Sequence, residues 1–142
     1  MTHSASQPIF IGGCLCGQLR YQASDLIDAG YCHCRLCQRS SGGPVLAWAS
    51  LLAGRFIYTQ GEPARYASSG SGRREFCARC GTQIAFRDSR TPDRVDLNIA
   101  SLDDPARVEP QYHIWVASQI SWFEIDDNLP RYAGEGPDSP SA

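Results

Sequence analysis

The sequence predicts a single, mainly β domain, and three observations carry that prediction. Short runs of alternating polar and apolar residues recur along the chain, as half-buried strands require. Glycine, proline and serine clusters separate those runs at short intervals. Helical periodicity is scarce. The 142 residues fit one domain, long enough to bury a core without a metal or disulfide being demanded by small size.

Taken in order, residues 1–7 read as a flexible end and 8–132 as one domain, with no repeat or linker dividing it. Gln18-Leu19-Arg20-Tyr21-Gln22-Ala23 alternates like a strand. Val45–Ala49, Arg55–Thr59, Thr82–Phe86, Arg94–Ile99 and Tyr112–Val116 read the same way. The turns fall at Gly42-Gly43-Pro44, Gly61-Glu62-Pro63, Ser68-Ser69-Gly70-Ser71-Gly72 and Asp103-Asp104-Pro105. One or two helical turns are expected around Cys37–Ser40 and again near Ser121–Glu124. The glycine, proline and serine of 133–142 predict a disordered tail.

Composition narrows the function. All 13 basic residues are arginine, against 15 acidic ones. The absence of lysine excludes a Schiff-base lysine mechanism, and the near-neutral balance argues against a nucleic-acid surface. No run approaches the ~20 apolar residues of a membrane span. The N-terminus lacks a basic and then apolar leader, so the expected location is cytoplasmic.

Seven cysteines then become the informative feature. An odd number cannot all pair, and a reducing compartment would not maintain disulfides. They fall into Cys14-Leu15-Cys16, Cys32-His33-Cys34-Arg35-Leu36-Cys37 and Cys77-Ala78-Arg79-Cys80. Residues i and i+2 of an extended segment share a side. Cys-x-x-Cys turns tightly, and Gly81 after Cys80 eases that turn. The same alternation points His33 away from a metal held by Cys32 and Cys34, toward packing or hydrogen bonding. Seven ligands divide as a closed set of four, which stabilises a fold, and a set of three, which leaves a position for water or substrate. Spacing leaves the combination open. Cys14/Cys16 with Cys77/Cys80 leaves Cys32/Cys34/Cys37, whereas Cys34/Cys37 with Cys77/Cys80 leaves Cys14, Cys16 and Cys32. One four-cysteine zinc with three inert thiols is the plainer arrangement.

The motifs themselves resemble one family. Gly12-Gly13-Cys14-Leu15-Cys16-Gly17 followed by Arg20-Tyr21, then Cys32–Gly42, then Phe76-Cys77-Ala78-Arg79-Cys80-Gly81-Thr82 are similar to the three cysteine motifs of the glutathione-dependent formaldehyde-activating enzymes, also called centromere-protein-V-like. Ser101–Pro105, Pro110–Ile114, Trp122 and Asp127–Tyr132 continue the resemblance, which runs from about Gly12 to Tyr132. It implies a β-tent fold of several short, curled antiparallel sheets. It implies two zinc ions per chain: a structural one at Cys14, Cys16, Cys77 and Cys80, and a catalytic one at Cys32, Cys34 and Cys37. It also implies a carbon–sulfur lyase of the S-(hydroxymethyl)glutathione synthase type, acting on a glutathione or other thiol adduct of formaldehyde or a small aldehyde. A thiol entering an open three-thiolate zinc site would lose its proton to the metal's charge. Three strong thiolate donors blunt the Lewis acidity of the metal, so thiol activation is the favoured role.

The remaining residues have plainer readings beside functional ones. Arg35, Arg39, Arg73 and Arg74 lie near the clusters in sequence and are candidates for substrate carboxylates, against the commoner solvated arginine. His113 reads as a structural histidine, with proton shuttling as the alternative. Asp103 and Asp104 fit turn chemistry, and Ser40, Ser41 and Gly42 either cap a short helix or line a pocket. Trp48, Trp115 and Trp122 read as core or pocket wall. The serine-glycine run 68–72 lacks the lysine of a phosphate loop. Two other functions compete: a non-catalytic zinc-binding partner module, and a thiol redox enzyme of the methionine sulfoxide reductase type.

Overall fold

The computed structural model describes residues 8–137, so the expectations for residues 1–7 and 138–142 fall outside the described residues. Ten strands form: β1 Ile9–Gly13, β2 Arg20–Ser24, β3 Asp28–Cys32, β4 Leu46–Leu52, β5 Phe56–Gln60, β6 Ala64–Ala67, β7 Gly72–Phe76, β8 Gln83–Asp88, β9 Arg94–Asn98 and β10 His113–Ile114. The α-helix among the described residues is α1, Arg35–Ser41. The chain is mainly β, as its alternation predicts. The strands gather into two open sheets, β1-β2-β5 and β10-β3-β4-β9-β8-β7-β6. Pairing is antiparallel except at β10, which runs parallel to β3 with His113 opposite Tyr31 and Ile114 opposite Cys32. No helix among the described residues is long and apolar enough to cross a membrane.

Period-two alternation gives the larger sheet two unlike faces. Ala49, Leu51, Ile84, Ala85, Val95 and Leu97 are buried in the core with Phe10, Tyr21, Ala23 and Phe56 of the smaller sheet. Each fully buried leucine or isoleucine contributes roughly 1.5–3 kcal/mol. Glu75 of β7 sits among them with no exposed surface. It is tolerated because Tyr58 Oη (2.8 Å), Arg65 Nε (3.1 Å) and Arg87 Nε (2.8 Å) all donate to its carboxylate. Tyr58 belongs to β5, so this buried carboxylate also stitches one sheet to the other.

The helix at Arg35–Ser41 falls where it was expected, but Ser121–Glu124 contains only a turn. Gln119 Nε2 donates to the carbonyl of Phe123 at 2.8 Å, a local closure that replaces helical bonding there. The part of the expected tail at 133–137 also differs from a disordered segment. Trp115 N–H donates to Gly134 O and Ala117 N–H to Ala133 O, while Glu135 pairs with Arg90.

Candidate functional site

The four-cysteine cluster is built by two tight turns that face each other. Gly17 N–H returns to Cys14 O at 3.1 Å and Gly81 N–H to Cys77 O at 2.8 Å, and both glycines take φ of 82°. An L side chain rarely adopts that backbone, so each turn depends on the glycine after its second cysteine. Cys14 and Cys16 sulfurs lie 3.6 Å apart, and Cys16 and Cys77 sulfurs 3.8 Å apart. Tetrahedral thiolate ligation at Zn–S near ~2.3 Å needs about that separation. All four sulfurs, with Cys80, lie within 4.8 Å of one another and can hold a metal ion. Backbone N–H groups of Leu19 and Cys80 donate to the sulfurs of Cys14 (3.2 Å) and Cys77 (3.4 Å). Hydrogen bonds from the hydroxyl and amide of Thr82 pull the Cys80 thiol down to about 5. These donors favour thiolates, as a metal site requires.

The second cluster sits where β3 gives way to α1. Cys32 closes β3, Cys34 caps α1 by accepting from Cys37 N–H at 3.3 Å, and Cys37 lies one turn on. Their three sulfurs also lie within 4.8 Å of one another. The set shares charge unequally: hydrogen bonds from the Cys32 and Cys37 thiols bring Cys34 down to about 2, while Cys32 is pushed far up by the Cys34 and Cys37 thiols and by burial. One thiolate is therefore accommodated easily and further negative charge is resisted, so a cation is what would let all three ionise. Of the two combinations that spacing left open, the chain adopts Cys14/Cys16 with Cys77/Cys80. His33 is not brought into the second cluster. It is fully buried and turned away, with Nε2 2.8 Å from His113 Nδ1.

Of the two clusters, the second borders the large cavity of the described residues. Cys32, Cys34 and Cys37 line a space of about 630 Å³ over the face of the larger sheet opposite the core. Leu46, Trp48 and Ser50 of β4, Asn98, Asp96 and Arg94 of β9, Phe86 and Asp88 of β8 and Arg74 of β7 form its floor. They follow at every second position, as one face of a sheet must. Asp28 and Asp96 flank Ser50 in register across three strands. Asp28 is four residues from Cys32 along β3, about 13 Å at the rise of a strand. Burial on the cavity floor, reinforced by the charge of Asp28, pushes the Asp96 carboxyl up to about 7.

Of the arginines singled out in the sequence, Arg35 and Arg74 line the cavity, whereas Arg39 and Arg73 are exposed away from it. Asp103 belongs to a surface pair with Arg20 (Nη1–Oδ1 3.0 Å) and does not reach the cavity. Ser40 and Ser41 hydroxyls donate to Cys37 O, and Gly42 N–H to Gln38 O, so these residues cap the helix. Trp48 and Trp115 are cavity wall, while Trp122 is exposed. Sequence reasoning passed over Asp28, Phe86, Asp96 and Tyr112. The polar members of Arg94-Val95-Asp96-Leu97-Asn98 read as a solvent face, and alternation alone does not separate solvent from a solvent-filled cavity.

Three comparisons bear on this arrangement. The sequence profile of the glutathione-dependent formaldehyde-activating enzymes matches residues 9–118. A Halomonas elongata protein that bears the family's name, qualified as a provisional assignment, is 25% identical over 127 residues, covering 81% of this chain and 80% of its own. A crystal structure of a Rhodobacter sphaeroides protein superposes with a TM-score of 0.57 at 22% identity, over 66% of this chain and 87% of its own, and so shares the fold. With most of the chain matched by the profile, this protein belongs to the glutathione-dependent formaldehyde-activating enzyme family.

Proposed function

We propose that the three-cysteine centre carries the chemistry of a zinc-dependent carbon–sulfur lyase, joining a thiol such as glutathione to formaldehyde or a small aldehyde, or reversing that step. The observation that carries the reading is the asymmetry between the clusters: the set of three borders the cavity, and the set of four does not. The proposed roles are a structural zinc at Cys14, Cys16, Cys77 and Cys80 and a catalytic one at Cys32, Cys34 and Cys37. The sulfur-rich donor sets and their spacing fit zinc. Held by Cys32, Cys34 and Cys37, zinc would supply a positive charge that favours the thiolate form of an entering thiol.

The chain's own residues do the rest. Cys32, Cys34 and Cys37 fix where the substrate sulfur must sit. Leu46, Trp48 and Phe86 give the cavity apolar walls that limit water around the reacting carbon. Arg35 and Arg74 supply donors for an anionic substrate. The step balances without redox change: the S–H proton leaves, a C–S bond forms, and the carbonyl oxygen gains a proton to become the hydroxymethyl hydroxyl. The seven unpaired cysteines agree with a reducing compartment, and we place the protein in the cytoplasm.

Native mass spectrometry of zinc-replete protein with and without glutathione tests the reading, followed by an assay of formaldehyde addition. The expected result is two zinc ions and a glutathione complex, with the second zinc and the activity lost together in Cys32→Ser while the fold persists. One tightly held zinc and no complex would sink it and favour the non-catalytic or redox functions instead.

A further inference from the structure

We infer that Arg74 makes the three-cysteine centre selective for an anionic sulfur ligand, by supplying the positive charge that offsets its thiolates. The inference rests on the reading of that centre as a metal and thiol site, and it adds the residue that decides which ligand enters.

Arg74 sits on β7 with 7% of its surface exposed. A buried guanidinium ordinarily has a carboxylate beside it, because an uncompensated buried charge is costly. Among the described residues none pairs with Arg74, whereas Arg20, Arg55, Arg65, Arg87 and Arg90 each have an acidic partner. Its guanidinium is fixed from two sides: Nε donates to Ser68 Oγ at 3.1 Å, and the group lies 4.9 Å from the centre of the Phe86 ring. This leaves Nη1 and Nη2 aimed at Cys37 Sγ, at 3.9 and 3.8 Å. With a metal bound and all three cysteines ionised, the Cys37 sulfur would be the anionic partner of this arginine.

Charge counting turns this contact into selectivity. Three thiolates around a divalent cation leave one negative charge, which repels a fourth thiolate and favours a neutral ligand. Arg74 brings the local total to zero, so an entering thiolate meets no net repulsion. Because Arg74 is itself buried, that difference is screened less than at an exposed site. Arg35 also borders the cavity, but it is exposed, so solvent screens its charge while its Nη1 donates to Gln38 Oε1 at 2.6 Å; Arg90 is paired with Asp88 and Glu135.

The test uses cobalt-loaded full-length protein, whose visible absorption reports ligands entering the three-cysteine centre. Wild type, Arg74→Met, Arg74→Gln and Arg74→Lys are titrated with glutathione and with imidazole as a neutral ligand. Cobalt stoichiometry is measured alongside. Loss of the cation should weaken glutathione about tenfold or more, the loss expected for one charge-assisted contact, while imidazole affinity and cobalt content hold. Arg74→Lys should stay within about threefold of wild type, because the charge remains. If Arg74→Met fails to fold, the Gln and Lys variants carry the same comparison with a polar side chain kept opposite Ser68. Equal weakening of both ligands, or no change in either, overturns the role of Arg74 alone. A wild-type centre that takes up cobalt and binds no thiol overturns the thiol reading and this inference together.

Discussion

His33 Nε2 and His113 Nδ1 lie 2.8 Å apart in the interior, and His113 Nε2 lies 2.9 Å from Asp127 Oδ2. The carboxylate accepts from His113 Nε2–H, so His113 Nδ1 accepts from His33 Nε2–H in the neutral pair. His33 Nδ1 is then an unprotonated nitrogen, and among the described residues it is a buried polar atom without a hydrogen-bond partner. This line of bonds runs from the surface to the residue between two cysteines of the open cluster. His113 also stacks on Tyr31, with ring centroids 4.7 Å apart. His113→Ala should cost about 2 kcal/mol of stability. It should also weaken metal binding at the three-cysteine centre by about tenfold, as loss of an outer partner does. Urea denaturation and chelator competition measure the two effects, and the four-cysteine metal should be unaffected.

The two cysteine clusters should fail differently. On the proposed roles, Cys80→Ser removes one ligand of the structural metal that would join the 14–17 and 77–81 turns, and structural sites contribute folding energy directly. That variant should lose one metal and most of its thermal stability. Cys37→Ser should lose one metal while melting within a few degrees of wild type. Metal stoichiometry by mass spectrometry and a thermal melt of each variant decide the matter.

Asp96 gives the stability curve a sign opposite to that of an ordinary salt-bridged carboxylate. Its folded pKa of about 7 stands above the ~3.9 of a free aspartate. Between those values the native state holds a proton that the unfolded chain releases. Stability therefore falls as pH rises through that window, and the cost persists above it. Asp96→Asn removes the charge at similar size. The variant should gain on wild type as pH rises from 5.5 to 8, reaching an advantage on the order of 2–4 kcal/mol. Parallel denaturation curves at three or four pH values would show the widening gap; a constant gap would contradict it.

Glu75 is the buried charge on the other face of the sheet. Glu75→Ala leaves Arg65, Arg87 and the Tyr58 hydroxyl without their shared acceptor. Breaking a buried pair from one side costs about 3–5 kcal/mol. Glu75→Gln should cost less, since the amide oxygen still accepts. Chemical denaturation of both variants gives the order.

Much of this was legible in the residues. Alternation marked β2, β4, β5, β8 and β9 because each presents one face to the core. Alternation did not mark β1, β3, β6 or β7: β7 carries Arg73-Arg74-Glu75, and β6 is four residues with three exposed side chains. Glu75 in particular reads as solvent-facing until its three donors are known. Tyr112–Val116 shrank to the two residues of β10 because Trp115 takes a left-handed φ of 58° that ends the strand. At the site, local spacing identified the clusters, and His33 was correctly set apart by the i, i+2 rule. The charge environment was legible in part: Arg35 and Arg74 were among four arginines set out by their nearness to the clusters, but which of the four line the cavity was not. Arg74 and Asp96 reach the cavity only through sheet register between strands distant in sequence, which no local pattern encodes.

The parallel pairing of β10 with β3 also makes the three-cysteine cluster depend on a segment far along the chain. All four cysteines of the other cluster lie within residues 14–80, so they can meet while the chain is still emerging from the ribosome. The Cys32–Cys37 loop is made earlier, yet His33 waits for a partner 80 positions downstream. The same late segment provides Ile114 O for His33 N–H and Ser118 O for the Gln38 amide. The four-cysteine set is thus complete in the chain before the segment that buttresses His33 and α1 beside the three-cysteine cluster has been made.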